Sequence, residues 1–190
     1  MKISNTALLL VLVGCALAGC GKSATPEAKL VQLTAHYTAL HRHSRYAEAI
    51  PVAERALAIA QAAFGPDHER VAQVLNDLGR FYELQQSQIG LAEESYARAL
   101  AIRERLRSKP AAIAQSMSNL ARVYLAQRRY AEAESSYRQV LAIIEPEIPP
   151  DHPVLLPMLD AYAKALRGNG NAGEADAVEA RIARIRSESK

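Results

Sequence analysis

The sequence predicts an all-α fold: a right-handed superhelical solenoid of about four antiparallel helix pairs. The composition, with 49% hydrophobic and 23% charged residues, is that of a globular chain rather than a disordered one. The absence of Trp, with two Phe, nine Gly and nine Pro, leaves little of the aromatic and turn-rich material an all-β fold needs. Most telling is a period: Arg55-Ala-Leu-Ala-Ile59 returns as Arg98-Ala-Leu-Ala-Ile102, as Gln139-Val-Leu-Ala-Ile143 and, weakly, as Arg181-Ile-Ala-Arg-Ile185, with steps of 43, 41 and 42 residues. Four such periods fill the chain beyond residue 19 almost completely, so a separate catalytic domain has no place.

Before the first period, Lys2 is followed by an apolar run at residues 7–13 and then by small residues up to Gly19-Cys20. This is the pattern of a secretory signal, with an apolar stretch too short for a permanent membrane span. The stretch Leu17-Ala18-Gly19-Cys20 resembles a bacterial lipobox, which implies cleavage before Cys20 and acylation of that cysteine. Leu12-Val13-Gly14-Cys15 also matches, but Cys20 stands where apolar sequence gives way to Gly21-Lys22-Ser23 and is the favoured site. A plain cleaved signal and an uncleaved anchor are the alternatives. With residues 1–19 as signal and 20–27 as a lipidated arm, the repeats occupy 28–190, at about 28–65, 66–109, 110–149 and 150–185. Gly21, where an aspartate commonly retains such proteins at the inner membrane, implies a bacterial envelope protein on the outer membrane, facing the periplasm.

Each period reads as two helices. Val71, Leu75, Leu78, Gly79 and Tyr82, then Ile113, Met117, Leu120, Ala121 and Tyr124, follow the spacing of one helical face. A second helix begins near Tyr46-Ala-Glu-Ala49 and Tyr130-Ala-Glu-Ala133 and stops before Gly65-Pro66, Pro110 and Pro146. Thr25, Asp67 and Asp151 are the expected N-caps, and Pro51 and Pro157 are expected to kink or fray their helices. Gly79 and Ala121, with Ala49, Ala92, Ala133 and Ala175, mark close approaches between helices. A lone pair cannot bury its apolar stripe, so the pairs must stack.

Gly65-Pro-Asp-His68 before a first helix, Asn119-Leu-Ala-Arg-Val-Tyr124 within one and Tyr130-Ala-Glu-Ala-Glu134 opening a second resemble the tetratricopeptide repeat in its 42-residue, kinesin-light-chain-like form. Departures fall at the ends: Lys29, His36 and Tyr37 replace apolar or small residues in repeat one, and Ala172 replaces the Tyr of Tyr-Ala-Glu-Ala in repeat four. Terminal repeats face solvent on one side, so such degeneracy suits caps.

Little here suggests chemistry. His36, His41, His43, His68 and His152 form no metal-ligand spacing, and no HExxH or CxxC occurs, so no metal site is expected. The segment from Gly168 to Asn171 lacks the lysine of a phosphate loop and reads as the turn of repeat four. Glu48, Glu132 and Glu174 recur in the first turn of a helix, where the dipole accounts for them. A net charge of +3 is too balanced to mark a nucleic-acid binder, and the basic residues from Arg181 onward read as a polar capping helix. Neither an enzyme, a cofactor nor a small-molecule substrate is expected.

One pattern remains. Gln73, Asp77 and Arg80 recur 42 residues on as Gln115, Asn119 and Arg122, and Lys164 continues the cationic row. The resemblance implies that the first helix of each pair lines a concave groove, where Asn119 would bond a bound peptide's backbone. The expected function is a membrane-anchored protein-protein interaction module binding an acidic protein or peptide in a cationic groove. The alternative is a structural subunit of an envelope complex held by apolar lateral or end-to-end contacts.

Overall fold

The computed structural model describes residues 25–188. The signal, the candidate lipidation sites Cys15 and Cys20, and the arm as far as residue 24 lie outside the described residues. Four antiparallel pairs follow one another: α1 (Pro26–Arg42) with α2 (Tyr46–Phe64), α3 (Glu69–Leu84) with α4 (Ile89–Arg105), α5 (Pro110–Ala126) with α6 (Tyr130–Ile144), and α7 (Leu156–Gly168) with α8 (Ala172–Glu188). A single 3₁₀ turn at Pro153–Leu155 leads into α7. Each helix packs chiefly on its chain neighbours, the stacking expected of a solenoid, and the described residues contain no strand.

The period is written into the backbone as well as the sequence. Ser44, Gln86, Arg128 and Gly170, each 42 residues from the last, are the left-handed residues of the four hairpin turns, with φ of 57°, 56°, 60° and 85°. In three of these turns the next amide closes a Schellman bond: Arg45 to Leu40 O at 3.0 Å, Arg129 to Tyr124 O at 2.8 Å and Asn171 to Leu166 O at 2.9 Å. Repeat two has one more residue in its turn, and there Ser87 N donates to Gln85 O instead.

Thr25 caps α1 as expected, its Oγ1 accepting from Ala28 N at 3.2 Å. Asp67 and Asp151 are not caps. The residues after them are: Nδ1 of His68 accepts from Arg70 N, and Nδ1 of His152 accepts from Val154 N, both at 3.2 Å. The imidazole reaches the orphan amide of the first turn, and the displaced carboxylates pair with Arg105 and Arg184. Pro51 does not break its helix, since α2 runs unbroken through it at the loss of one amide donor, and Pro157 falls in the first turn of α7, where no donor is needed.

The close approaches stand where expected. Ala49, Ala92, Ala121, Ala133 and Ala175 are fully buried, and a Cβ on Gly79 would come within 2.7 Å of the Tyr96 ring. Repeat one inverts this arrangement. Tyr37 takes the register of Gly79 and Ala121, while Ala53 takes that of Tyr96 and Tyr137, and all of these side chains are buried. One large and one small residue fill the same space in either order.

Two large apolar clusters divide the solenoid, one running from Leu30 to Ile102 with Leu120 and Val123, the other from Ala121 to Ile185, with a small third one of Ala114, Met117 and Val140 in repeat three. Between them, at the joint of repeats two and three, lies a buried polar seam.

Candidate functional site

Helices α1, α3, α5 and α7 form one layer, tied across repeats by side chains. Tyr37 donates to Asp77 at 2.7 Å, Asn76 Nδ2 to Ser116 Oγ at 2.9 Å, and Asn119 Nδ2 to Asn76 Oδ1 at 3.2 Å. The seam deepens at Arg103, only 4% exposed, whose Nη1 donates to Ala112 O and Ser116 Oγ, both at 2.9 Å, and whose Nε donates to Glu69 at 3.0 Å. Burying a guanidinium is tolerable here because its donors find a carboxylate, a carbonyl and a hydroxyl. In register, Arg103 stands where Ala60 and Ile144 stand in the flanking repeats, and Ser116 where Val74 and Met158 stand. The seam is a polar departure from the repeat.

The seven residues of the expected groove separate into three groups. Gln73, Gln115, Arg80 and Lys164 are exposed on the face of α3, α5 and α7. Arg80 and Lys164 have no ion-pair partner within 4 Å among the described residues, and Lys164 borders a cleft of about 760 Å³ with Asp160, Arg167 and Glu179. Asp77 and Asn119 do not stand free. Asp77 is half-buried beneath the Tyr37 hydroxyl, and burial pushes its carboxyl up against the opposing pull of that hydrogen bond. Asn119 is buried, its amide given to Asn76 and its Oδ1 accepting from Arg122 Nη1 at 3.2 Å, so it braces the seam.

Arg122 forms the third group. It lies in the exposed row, but its fork grips Glu83, Nε at 2.6 Å and Nη2 at 2.7 Å, and this bond above all holds the guanidinium far above its ordinary range. Glu83 also accepts from the Tyr96 hydroxyl at 3.0 Å. No repeat pattern points to Glu83, since its register holds His41 in repeat one and Leu125 in repeat three. Beyond the ladder, an apolar cleft of about 310 Å³ opens between α1 and α3, lined by Leu30, Val31 and Val74 with Arg70 and Gln73 at its rim.

The turn of repeat four is also accounted for. Asn169 and Asn171 donate to one oxygen of the buried Glu134, at 2.8 and 2.7 Å, while Arg138 donates to the other at 2.8 Å. The basic residues of α8 are fastened inward: Arg181 to Glu145 and the Pro150 carbonyl, Arg184 to Asp151, and Arg186 to Asp160. Among the described residues no three His, Cys, Asp or Glu side chains gather as metal ligands would, and no helix is long and apolar enough to cross a membrane.

A stack of helix pairs presenting one polar face defines a helical-repeat protein. The tetratricopeptide-repeat family model matches residues 38–105 and 112–188, and the chain belongs to that family. The interval between the two matches falls at the joint that carries the polar seam. The fold is similar to that of BtubC (BKLC) from P. vanneervenii, with a TM-score of 0.77 and 22% identity over 86% of this chain and 65% of that one. It is likewise similar to the kinesin-light-chain candidate of Podosopora anserina with nearly identical TPR-like repeats, with a TM-score of 0.71 and 23% identity over 86% of this chain and 77% of that one. A singly substituted form of the latter gives a TM-score of 0.72 at 23% identity, over 85% and 76% of the two chains. The chain thus spans just under two thirds of the length of BtubC. No curated protein matches the sequence. Tetratricopeptide repeats generally mediate protein-protein interaction and are typically non-enzymatic scaffolds.

Proposed function

We propose that this chain is a lipid-anchored recognition module of the bacterial cell envelope. Cys20 holds it at the outer membrane facing the periplasm, and an acidic segment of a partner protein docks on the face of α1, α3, α5 and α7. Arg80 and Lys164 carry the binding part of this reading. They are exposed, two repeats apart, and without an ion-pair partner among the described residues, so each can give its donors to a carboxylate of another molecule. The anchor rests on Leu17-Ala18-Gly19-Cys20, and each methylene of an acyl chain buried in the bilayer contributes about 0.8 kcal/mol, so several chains hold stably where one does not.

Labelling growing cells with radioactive palmitate tests the anchor. The wild type is expected to take up label and fractionate with outer membranes, and the Cys20→Ala variant to do neither. Retention of label by Cys20→Ala would move the site to Cys15, and absence of label from the wild type would remove the anchor. For the groove, crosslinking in intact envelopes compares the wild type with an Arg80→Glu, Lys164→Glu variant of unchanged melting. Loss of specific partners from the variant is expected, and unchanged partners would sink the cationic groove. Val31, 60% exposed beside the apolar cleft, favours the second reading of a structural subunit docked through apolar contacts. Salt separates the two: carboxylate binding weakens as ionic strength rises, whereas apolar docking persists or strengthens.

A further inference from the structure

Arg122 occupies the middle rung of the cationic row, yet its donors are already engaged. Nε and Nη2 hold the two oxygens of Glu83 at 2.6 and 2.7 Å, the side-by-side geometry in which a guanidinium takes a carboxylate, and Nη1 goes to Asn119. The Arg122 side chain is 44% exposed and that of Glu83 18%, so the guanidinium remains open to solvent while its carboxylate partner is the more sheltered. The repeat does not require this neutralisation. Arg80 and Lys164 hold the same register exposed and without such a partner, and the register of Glu83 itself is filled by His41 and Leu125 in the neighbouring repeats.

We infer that Glu83 is a built-in competitor: an internal carboxylate that occupies Arg122, so that the middle rung engages a partner's carboxylate only by displacing Glu83. The inference rests on the acidic-partner reading of this face and adds a selectivity device to it. A segment with one carboxylate meets the outer cations alone. Only a segment carrying a further carboxylate between them, strong enough to displace Glu83, engages all three rungs. Such an internal rival rejects weakly acidic ligands at some cost in affinity for the right one. A plain structural clamp between repeats two and three is the competing account, and it makes a different prediction.

A double-mutant cycle on the full chain separates them, read by fluorescence polarisation of a fluorescein-labelled hexaglutamate peptide at low ionic strength. Glu83→Gln keeps an acceptor for Tyr96 but gives up the charge. It is expected to bind the peptide about tenfold more tightly than the wild type, the scale of one charge-assisted pair regained. Arg122→Ala alone is expected to change binding little, and in that background Glu83→Gln is expected to bring no gain. Glu83→Asp, which keeps the net charge but shortens the reach to Arg122, is expected to give an intermediate gain and serves if Glu83→Gln melts early. An equal gain with and without Arg122 would reduce the effect to net charge and overturn the inference. No gain in either Glu83 variant would do the same, as would absence of binding by every chain. Failure of the underlying reading shows elsewhere: if Arg80→Glu, Lys164→Glu binds the peptide as the wild type does, the face is not an acidic-segment site, whatever Glu83 does.

Discussion

Where repeat one meets repeat two, the joint is an apolar core closed by two phenols. Tyr37 donates to Asp77 at 2.7 Å and Tyr82 to Glu54 at 2.8 Å, and no ion pair crosses among the described residues. Where repeat three meets repeat four, Arg138 pairs with Glu174 at 3.1 Å, Arg181 with Glu145 at 2.6 Å, and the asparagines of the last turn close on Glu134. Among the described residues each end repeat packs on one neighbouring repeat only, and the two joints are built differently. The first is closed by a buried aromatic ring, the last by a lattice of arginines and carboxylates. One end is therefore sensitive to changes of volume, the other to pH and salt.

The largest effect is expected from the ring. Tyr37→Ala should cost about 4 kcal/mol, the range for truncating a buried aromatic, as measured by urea unfolding. Adding Ala53→Tyr, which restores the arrangement of Gly79 with Tyr96, should recover part of that loss. No recovery would mean that the two positions do not share one space. Next comes Gly79→Ala, expected to cost about 2 kcal/mol because its Cβ would meet the wholly buried Tyr96 ring. Gly168→Ala makes an even closer approach, to Tyr130, but that ring is only half-buried and can turn away, so a smaller loss is expected. A larger loss at Gly168 than at Gly79 would reverse the argument that the neighbour's freedom sets the cost.

Acid should distinguish the ends by sign. Burial pushes the Glu134 carboxyl up, but the hydrogen bonds of Asn169 and Asn171 and the charge of Arg138 outweigh it and hold it below its ordinary 4.5. Its contribution to stability is complete above that value and is lost as pH falls through the folded-state pKa. Asp77 is the reverse case: burial lifts it above its ordinary 3.8, against the pull of the Tyr37 hydrogen bond, so its contribution is complete below that value and lost as pH rises through the folded-state pKa. Hydrogen exchange at decreasing pH, corrected for intrinsic rates, should show α8 losing protection ahead of α1. Loss at α1 first would contradict both assignments. Salt gives the smallest effect. At about 1 M the exposed pairs of α8 are screened, and opening of α8 should quicken while that of α1 does not.

Much of the architecture was legible in the sequence because it is periodic. The 42-residue step, the small residues at close approaches and the turn from Gly168 to Asn171 all follow from what one helix pair must do to stack on the next. Two of the three expected caps fall one residue later, since Asp67 and His68 are adjacent, as are Asp151 and His152, and only the course of the chain determines which side chain faces the first turn. The candidate face was half legible. Arg80, Arg122 and Lys164 share a register, but register says nothing of a side chain arriving from another repeat.

The sequence by itself determined the fold class, the number of helix pairs and the exposed row on the first helix of each pair, because these depend on spacing along one helix and on a repeat length. Tertiary structure alone decided which rungs are free. Glu83 reaches Arg122 from 39 positions away, and Arg103 draws Glu69 and Ser116 into a seam that no periodic pattern marks. The physical reason is that charge compensation depends on distance in space and on burial, and two residues from successive repeats come within hydrogen-bonding range only once the stack has formed.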